Sequence, residues 1–339
     1  MFELILPFII IFILFNLLNF VCVKNNILID LTTKLNHKKL TNKKYVPITG
    51  GILIVFSLFF LLLEISLINK LIFALIFILG LLSDTNKLSS PKIRFYFQIF
   101  IVFVYIILNE TYINEIRLNY IDNHILNILI FKIIFTSFCL LVLINGSNFV
   151  DGVNTLNSGY FLIVFINILF ISSNNLINLD TYNIKILIIT LFIFLFSNIF
   201  SKSFLGDSGS YIIGFFTGIF LIEMFNKNSF ISPYYVVILL WYPAFENFFT
   251  LTRRFVFEKN KIKVADNLHL HHLLFKFLKG KTNNNMVNTY TGLIINLFNL
   301  IIIFLAHNYI FETQKLVIIL FLSIFIYLAS YFYLKKKIN

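Results

Sequence analysis

Eleven apolar stretches of this chain read as candidate spans of a lipid bilayer, and they leave little else to fold. A spanning helix needs about 20 mostly apolar residues. Such stretches run near 3–23, 48–68, 71–83, 95–109, 125–144, 158–172, 184–200, 210–225, 234–252, 288–306 and 315–334. The division of 48–83 into two rests only on Ile68-Asn69-Lys70. The chain of 339 residues is 59% hydrophobic and 12% charged. An ordinary soluble domain is about 45–50% apolar and about 25% charged. A soluble fold of this length could not cover so much apolar side chain. That excludes a soluble enzyme, a disordered protein and a secreted disulfide scaffold. Cys22 and Cys139 both lie in apolar runs, so no disulfide framework is implied. No basic segment precedes the first run and no small-residue cleavage site follows it, so no cleaved signal peptide is expected. With no repeat and no low-complexity linker, residues 1–339 read as one all-α integral membrane domain, a polytopic bundle of about 11 transmembrane helices.

Lys and Arg in short loops mark the cytoplasmic side. With eleven spans, the loops 24–47, 84–94, 145–157, 201–209 and 253–287 and the tail after 334 share one side. They carry 21 of the 27 Lys and Arg. The other side holds Lys70, Arg117, Lys132, Lys185, Lys227 and Lys315. This split predicts an N-terminus outside and a C-terminus in the cytoplasm. It also shows where the net charge of +12 resides. Asp30, Asp84, Asp151, Asp207, Glu246, Glu258 and Asp266 are the acids of the basic side, which still carries a large positive excess.

Acids near a bilayer are costly, so each needs a reason. The loop 145–157 holds Asn145, Asn148, Asp151, Gly152 and Asn154, and its plain structural reading is a capped turn between helices. The loop 201–210 reads Phe204-Leu205-Gly206-Asp207-Ser208-Gly209-Ser210 just before an apolar helix. Backbone N–H groups at such a helix start can cradle phosphate, and the acid can hold Mg²⁺ together with substrate phosphate oxygens. Its plain reading is an N-cap by Asp207 or Ser208. In 80–98, Ser83 and Asp84 face Lys92 and Arg94 across a short turn, which also suits interfacial anchoring to lipid headgroups. The loop 253–287 holds Arg253, Arg254, Asp266 and the string His269-Leu270-His271-His272. A transition-metal site lacks an accompanying Cys or Glu-x-x-His spacing. Arg and His donors clamping a diphosphate are the second reading, and a solvated basic loop is the third. Glu246 follows Trp241-Tyr242-Pro243 near the end of an apolar span, where Pro243 should break or kink the helix.

Independent caps would not need to share a side. Acids, a glycine turn and an Arg/His loop on one face suit metal-assisted chemistry on a phosphorylated, lipid-linked substrate. A transporter or flippase is the rival, but it would place its polar groups near the midplane.

These residues resemble the bacterial polyprenyl-phosphate N-acetylhexosamine-1-phosphate transferases of glycosyltransferase family 4. That group includes the enzymes initiating O-antigen and enterobacterial common antigen synthesis, and it is related to muramoyl-pentapeptide transferase. The stretches that carry the resemblance are His37–Gly51, Gly80–Gln98, Asn145–Leu156, Phe204–Ser210 and Arg253–His272, in the family's order. The string His269-Leu270-His271-His272 resembles the aminosugar enzymes more than the peptidoglycan enzyme.

The resemblance implies an inner-membrane enzyme that transfers an aminosugar 1-phosphate from a UDP-N-acetylaminosugar to undecaprenyl phosphate, releasing UMP. It implies Mg²⁺, with Mn²⁺ as the alternative, on Asp207 with Asn148 and with Asp84 beside the metal or the attacking phosphate. Phe204 would stack on uracil and Asn154 would hydrogen-bond it. Lys92 and Arg94 would hold the lipid phosphate, and Asp151 would support the nucleotide. Arg254, His269, His271 and His272 would clamp the diphosphate and fix the sugar. The implied partners are those two substrates and membrane lipid, with a homodimer compatible and no nucleic acid. The chain departs from the family pattern at Ser83, where a first of two adjacent Asp is usual. Asn154 and Glu246 also stand where Asp is common. The Ser83 change keeps an inactive relative among the readings. A lipid phosphate is already largely ionised near neutral pH, since a monoester's second pKa is about 6, so a strong base at position 83 is not obligatory.

Overall fold

A computed structural model describes residues 2–31, 45–61, 65–174, 176–177, 179, 181–257, 268–281 and 286–338. In chain order the helices begin with α1 (Ile5–Asn25), α2 (Gly50–Phe56, continued by a π-helical turn Ser57–Leu61), α3 (Leu67–Asp84) and α4 (Pro91–Asn109). Next come α5 (Asn119–His124), α6 (Leu129–Val150), α7 (Leu156–Ser173), α8 (Thr181–Ile199) and α9 (Gly206–Lys227). The chain ends with α10 (Pro233–Phe257), α11 (Leu270–Lys279), α12 (Val287–His307) and α13 (Thr313–Ile338). Two short strands, β1 (Ile29–Leu31) and β2 (Tyr45–Pro47), pair antiparallel with Asp30 opposite Val46.

Among the described residues nine helices are long and apolar enough to span a membrane: α1, α3, α4, α6, α7, α8, α9, α12 and α13. The other two expected spans are the shorter apolar helix Gly50–Leu61 and α10, which carries Glu246, Asn247 and Thr250 in its second half. Helix α9 is the centre of the bundle, with 89% of its apolar window buried against 22% for α1 and α13. It packs chiefly on α3 and α6. The outer helices turn Phe8, Phe12, Phe20, Phe100, Phe321 and Phe325 outward, a surface that a hydrocarbon solvent accepts and water does not.

The helices differ from the sequence expectation in four places. Ile68-Asn69-Lys70 lies inside the first turns of α3 and does not divide two spans. Ser66 caps this helix, accepting the Asn69 N–H at 3.2 Å, while Lys70 reaches back to the Phe59 carbonyl at 2.7 Å. Asn145 to Asn148 are helical, because α6 continues to Val150, and α9 already begins at Gly206. Pro243 sits within one continuous helix. A helical proline leaves the carbonyl four residues back without its donor. That carbonyl, Leu239, instead accepts the Tyr160 hydroxyl of α7 at 2.9 Å.

The loops sort to two ends. At one end Asp84 meets Asp207, Asn154 meets Ser201 and Gly152 meets His271. At the other, Arg117 donates to the carbonyls of Ser229, Phe230 and Ile231 at 3.1, 3.0 and 2.9 Å and to Thr313 Oγ1 at 3.2 Å. A cation on the base-poor side is thus used to close two loops.

Candidate active site

The site is built around the first turn of α9. A helix start leaves four backbone N–H groups without partners, and Leu205 at the cap position has no side-chain oxygen to offer. Asp84, the last residue of α3, supplies it from outside. Its carboxylate accepts the N–H of Asp207 at 2.8 Å, the N–H of Ser208 at 3.0 Å and the Ser208 hydroxyl at 2.7 Å. Two glycines allow this approach. Gly206 has φ of +76°, and a Cβ there would lie 2.7 Å from Asp84 Oδ2. A Cβ at Gly80 would lie 2.4 Å from Ser208 Cα, so α3 and α9 touch backbone to backbone.

Asp207 itself points to the start of α4. Arg94 Nη1 donates to Asp207 Oδ2 at 2.7 Å and to the Tyr211 hydroxyl at 3.3 Å. The same Nη1 also donates to Ser83 Oγ, which in turn donates to Asp207 Oδ2 at 2.5 Å. Both bonds to the Asp207 carboxylate fall on Oδ2, and Oδ1 takes no hydrogen bond among the described residues. Asp207 is 26% exposed. Lys92, two residues before Arg94, is exposed and stands outside this cluster.

The end of α6 joins α9 through buried polar groups. Asn157 Nδ2 donates to the Ser147 carbonyl at 3.0 Å and to Ser210 Oγ at 3.1 Å, and Ser147 Oγ donates to Asn157 Oδ1 at 3.2 Å. Asn148 follows Ser147 on a half-buried position, and Asp151 closes the helix. Asn154 is buried, and it ties its loop to two others. Its N–H donates to Asn288 Oδ1 at 2.7 Å and its Nδ2 to Ser201 Oγ at 2.6 Å. Thr155 N–H donates to Asn198 Oδ1 at 2.6 Å, and Asn198 Nδ2 to the Ser203 carbonyl at 2.8 Å. Phe204 is held by its backbone, donating to the Pro47 carbonyl at 2.9 Å and accepting from Gly50 N–H at 3.1 Å. Phe204 and Asn154, the pair expected at a uracil, therefore stand on one stitched set of loops.

The histidines form the other half. His269 precedes α11, and His271 and His272 lie in its first turn. His269 and His271 stack with centroids 5.4 Å apart, and His271 and His272 lie 4.2 Å apart. Glu246 Oε1 is 2.9 Å from His269 Nδ1, and Tyr327 Oη donates to Glu246 Oε2 at 2.6 Å. Phe149 packs against His269 at 5.4 Å and under the Arg254 guanidinium at 5.8 Å. His271 is fully buried against Gly152, where a Cβ would lie 2.1 Å from Nε2. Burial, then the neighbouring His272 and His269, push its pKa well below the usual histidine value, so it is neutral near pH 7.

The structure thus brings Ser83, Asp84, Arg94 and Asp207 together, and separately Glu246, Arg254, His269, His271 and His272. The end of α6 and the loop 151–154 lie between them. Asp266 and residues 37–44, which the sequence reading also used, lie outside the described residues. The sequence reading missed Tyr211 and Tyr327, both of which sit in apolar runs without a motif. Among the described residues no group of three or more His, Cys, Asp and Glu is placed to hold a metal ion. A Mg²⁺ shared with substrate phosphates does not need one, because one or two carboxylates suffice. The unbonded Oδ1 of a partly exposed Asp207 fits that role.

No curated protein matches the chain. Residues 66–225 match the family described as glycosyl transferase family 4. The match runs from the cap of α3 almost to the end of α9 and takes in every cluster residue around Asp207, while Glu246 and the histidines lie beyond it. Over residues 66–225 the chain is therefore similar to glycosyl transferase family 4, and its described residues hold nine helices long and apolar enough to cross a membrane.

Proposed function

We propose that this chain transfers an N-acetylaminosugar 1-phosphate from a UDP-sugar to undecaprenyl phosphate, giving undecaprenyl-diphospho-sugar and UMP. The family supports transfer of a sugar phosphate to a polyprenyl phosphate as the kind of reaction. The aminosugar, the uridine nucleotide, the undecaprenyl chain and the start of a surface glycan such as O-antigen are the finer reading. The observation that carries it is Asp207, held at the capped start of α9 with Arg94 on one carboxylate oxygen and the other unbonded among the described residues.

In this reading an oxygen of the lipid phosphate attacks the β-phosphorus of the UDP-sugar. The bond from that phosphorus to the bridging oxygen breaks, and UMP leaves with the bridging oxygen. Such a transfer needs positioning and charge stabilisation more than covalent help from the protein. Asp207 and Asn148 would hold Mg²⁺, which would neutralise charge on the diphosphate. Arg94 offers its guanidinium beside Asp207, and exposed Lys92 extends that positive edge toward a lipid headgroup arriving from the bilayer. Phe204 and Asn154 sit where a uracil would be read, and Asp151 lies beside them in chain order. Arg254, His269 and His272 face the diphosphate and sugar from the other side. The 21-to-6 distribution of Lys and Arg supports a site opening to the cytoplasm of a bacterial inner membrane. Polar groups gathered at one end of the bundle favour this reading over transport, whose sites lie near the midplane.

The test is lipid-dependent UMP release by the full chain in detergent, with undecaprenyl phosphate, Mg²⁺ and a panel of UDP-aminosugars. Release with at least one sugar is expected, lost in Asp207→Asn and on adding EDTA. No release with any sugar overturns the proposal. Full turnover by Asp207→Asn removes Asp207 from the metal position.

A further inference from the structure

Glu246 is fully buried in α10. A buried carboxylate is tolerated when its oxygens are bonded, and here both are. Oε1 is 2.9 Å from His269 Nδ1, and Oε2 accepts the Tyr327 hydroxyl at 2.6 Å. An ionised carboxylate can only accept, so the ring nitrogen facing it must carry the proton. Tyr327 is itself locked by aromatic neighbours, edge-on to Phe245 at 5.0 Å and to Phe249 at 5.6 Å. His269 also lies against Phe149, the residue after Asn148, with ring centroids 5.4 Å apart. An unbroken line of contacts therefore runs from the outer helix α13 through Tyr327, Glu246 and His269 to the end of α6.

We propose that Glu246 and Tyr327 are positioning residues that fix the His269 imidazole with a proton on Nδ1, making the last helix part of the site. A carboxylate behind an imidazole sets the ring's tautomer and aim. A ring fixed in advance needs no reordering when charge develops on a phosphoryl oxygen. Packing α10 on α13 would not by itself require an acid, since a buried ion pair is weak grounds for stability. The orientation of the ring stands on the geometry alone. Its consequence for turnover rests on the transferase reading.

The experiment has two arms on the full chain. In protein labelled with ¹⁵N-histidine, the ring signals of His269 are assigned by their loss in His269→Gln. A protonated Nδ1 near pH 7 is expected, and a bare Nδ1 overturns the proposal. In UMP release, Tyr327→Phe is expected to lower kcat about tenfold with KM for the UDP-sugar moved far less. Glu246→Asp is expected to keep more turnover than Glu246→Gln, because it keeps the acceptor charge. Wild-type kcat in Tyr327→Phe, or equal losses in the two Glu246 variants, overturns the catalytic role and leaves only packing. Should the wild type release no UMP with any sugar, the transferase reading fails while the ring spectrum still decides the orientation.

Discussion

The carboxylate of Asp84, at the end of α3, accepts the backbone N–H of Asp207, at the start of α9, at 2.8 Å. One acid thus caps the helix that carries the other. The amides and the helix dipole favour negative charge at that point, and the cap fixes the direction in which Asp207 leaves the helix. A cap given by a neighbouring helix, 123 residues away in sequence, also locks α3 to the central helix of the bundle.

Replacing Asp84 by Asn leaves the shape but removes the charge and turns one acceptor into a donor. Loss of a cap removes about 1–2 kcal/mol. We expect Asp84→Asn to melt earlier in detergent and to release UMP more slowly, because Asp207 loses its fixed base. Melting and turnover both equal to wild type would show that the cap carries neither.

Ser83 relays between Arg94 and Asp207, donating to Asp207 Oδ2 at 2.5 Å. Ser83→Asp would set a second carboxylate against that oxygen, with Arg94 shared between the two. The guanidinium can accept two anions, so turnover is expected to stay within about tenfold, or about 1.4 kcal/mol. A gain well beyond tenfold in UMP release would mark Ser83 as a degenerate catalytic position.

His271 makes stability depend on pH. Its folded pKa lies well below the usual value because of burial and the two neighbouring histidines, whereas in the unfolded chain it is about 6.5. Above about pH 6.5 neither state binds the proton and the full stability is present. Below it the unfolded chain gains a proton that the folded one refuses, so stability falls with pH by up to about 1.4 kcal/mol per unit. The drop in melting temperature between pH 7.5 and 5.5 should shrink in His271→Gln. An undiminished drop would mean that His271 is charged in the fold or that other groups dominate.

The spans were legible because a bilayer demands long apolar runs, and Asp207 with its glycines was legible because a helix start beside an acid has few uses. The partners were less so. Asp84 looks like an interfacial acid until α9 is laid beside it, since nothing near residue 84 shows that Leu205 leaves a helix uncapped. Asn145 to Asn148 look like a loop, yet Asn145 Nδ2 donates to Gln98 Oε1 at 2.9 Å and Ser147 bonds Asn157, so these polar groups stay inside a helix end. Tyr327 is one aromatic among many in an apolar run, and only the fold sets its hydroxyl against Glu246. In each case a polar group is satisfied by tertiary contact, which local sequence does not encode.

Pro243 offers a closed cycle for such a contact. Its ring removes the donor for the Leu239 carbonyl, and the Tyr160 hydroxyl takes that place at 2.9 Å. Tyr160→Phe should strand a buried carbonyl and destabilise by about 1–3 kcal/mol. In a Pro243→Ala background the backbone N–H of residue 243 returns, and the same Tyr160→Phe change should be much milder. Melting of the four proteins in detergent gives the coupling directly. Equal effects of Tyr160→Phe in both backgrounds would show that the hydroxyl does not replace the missing helix bond.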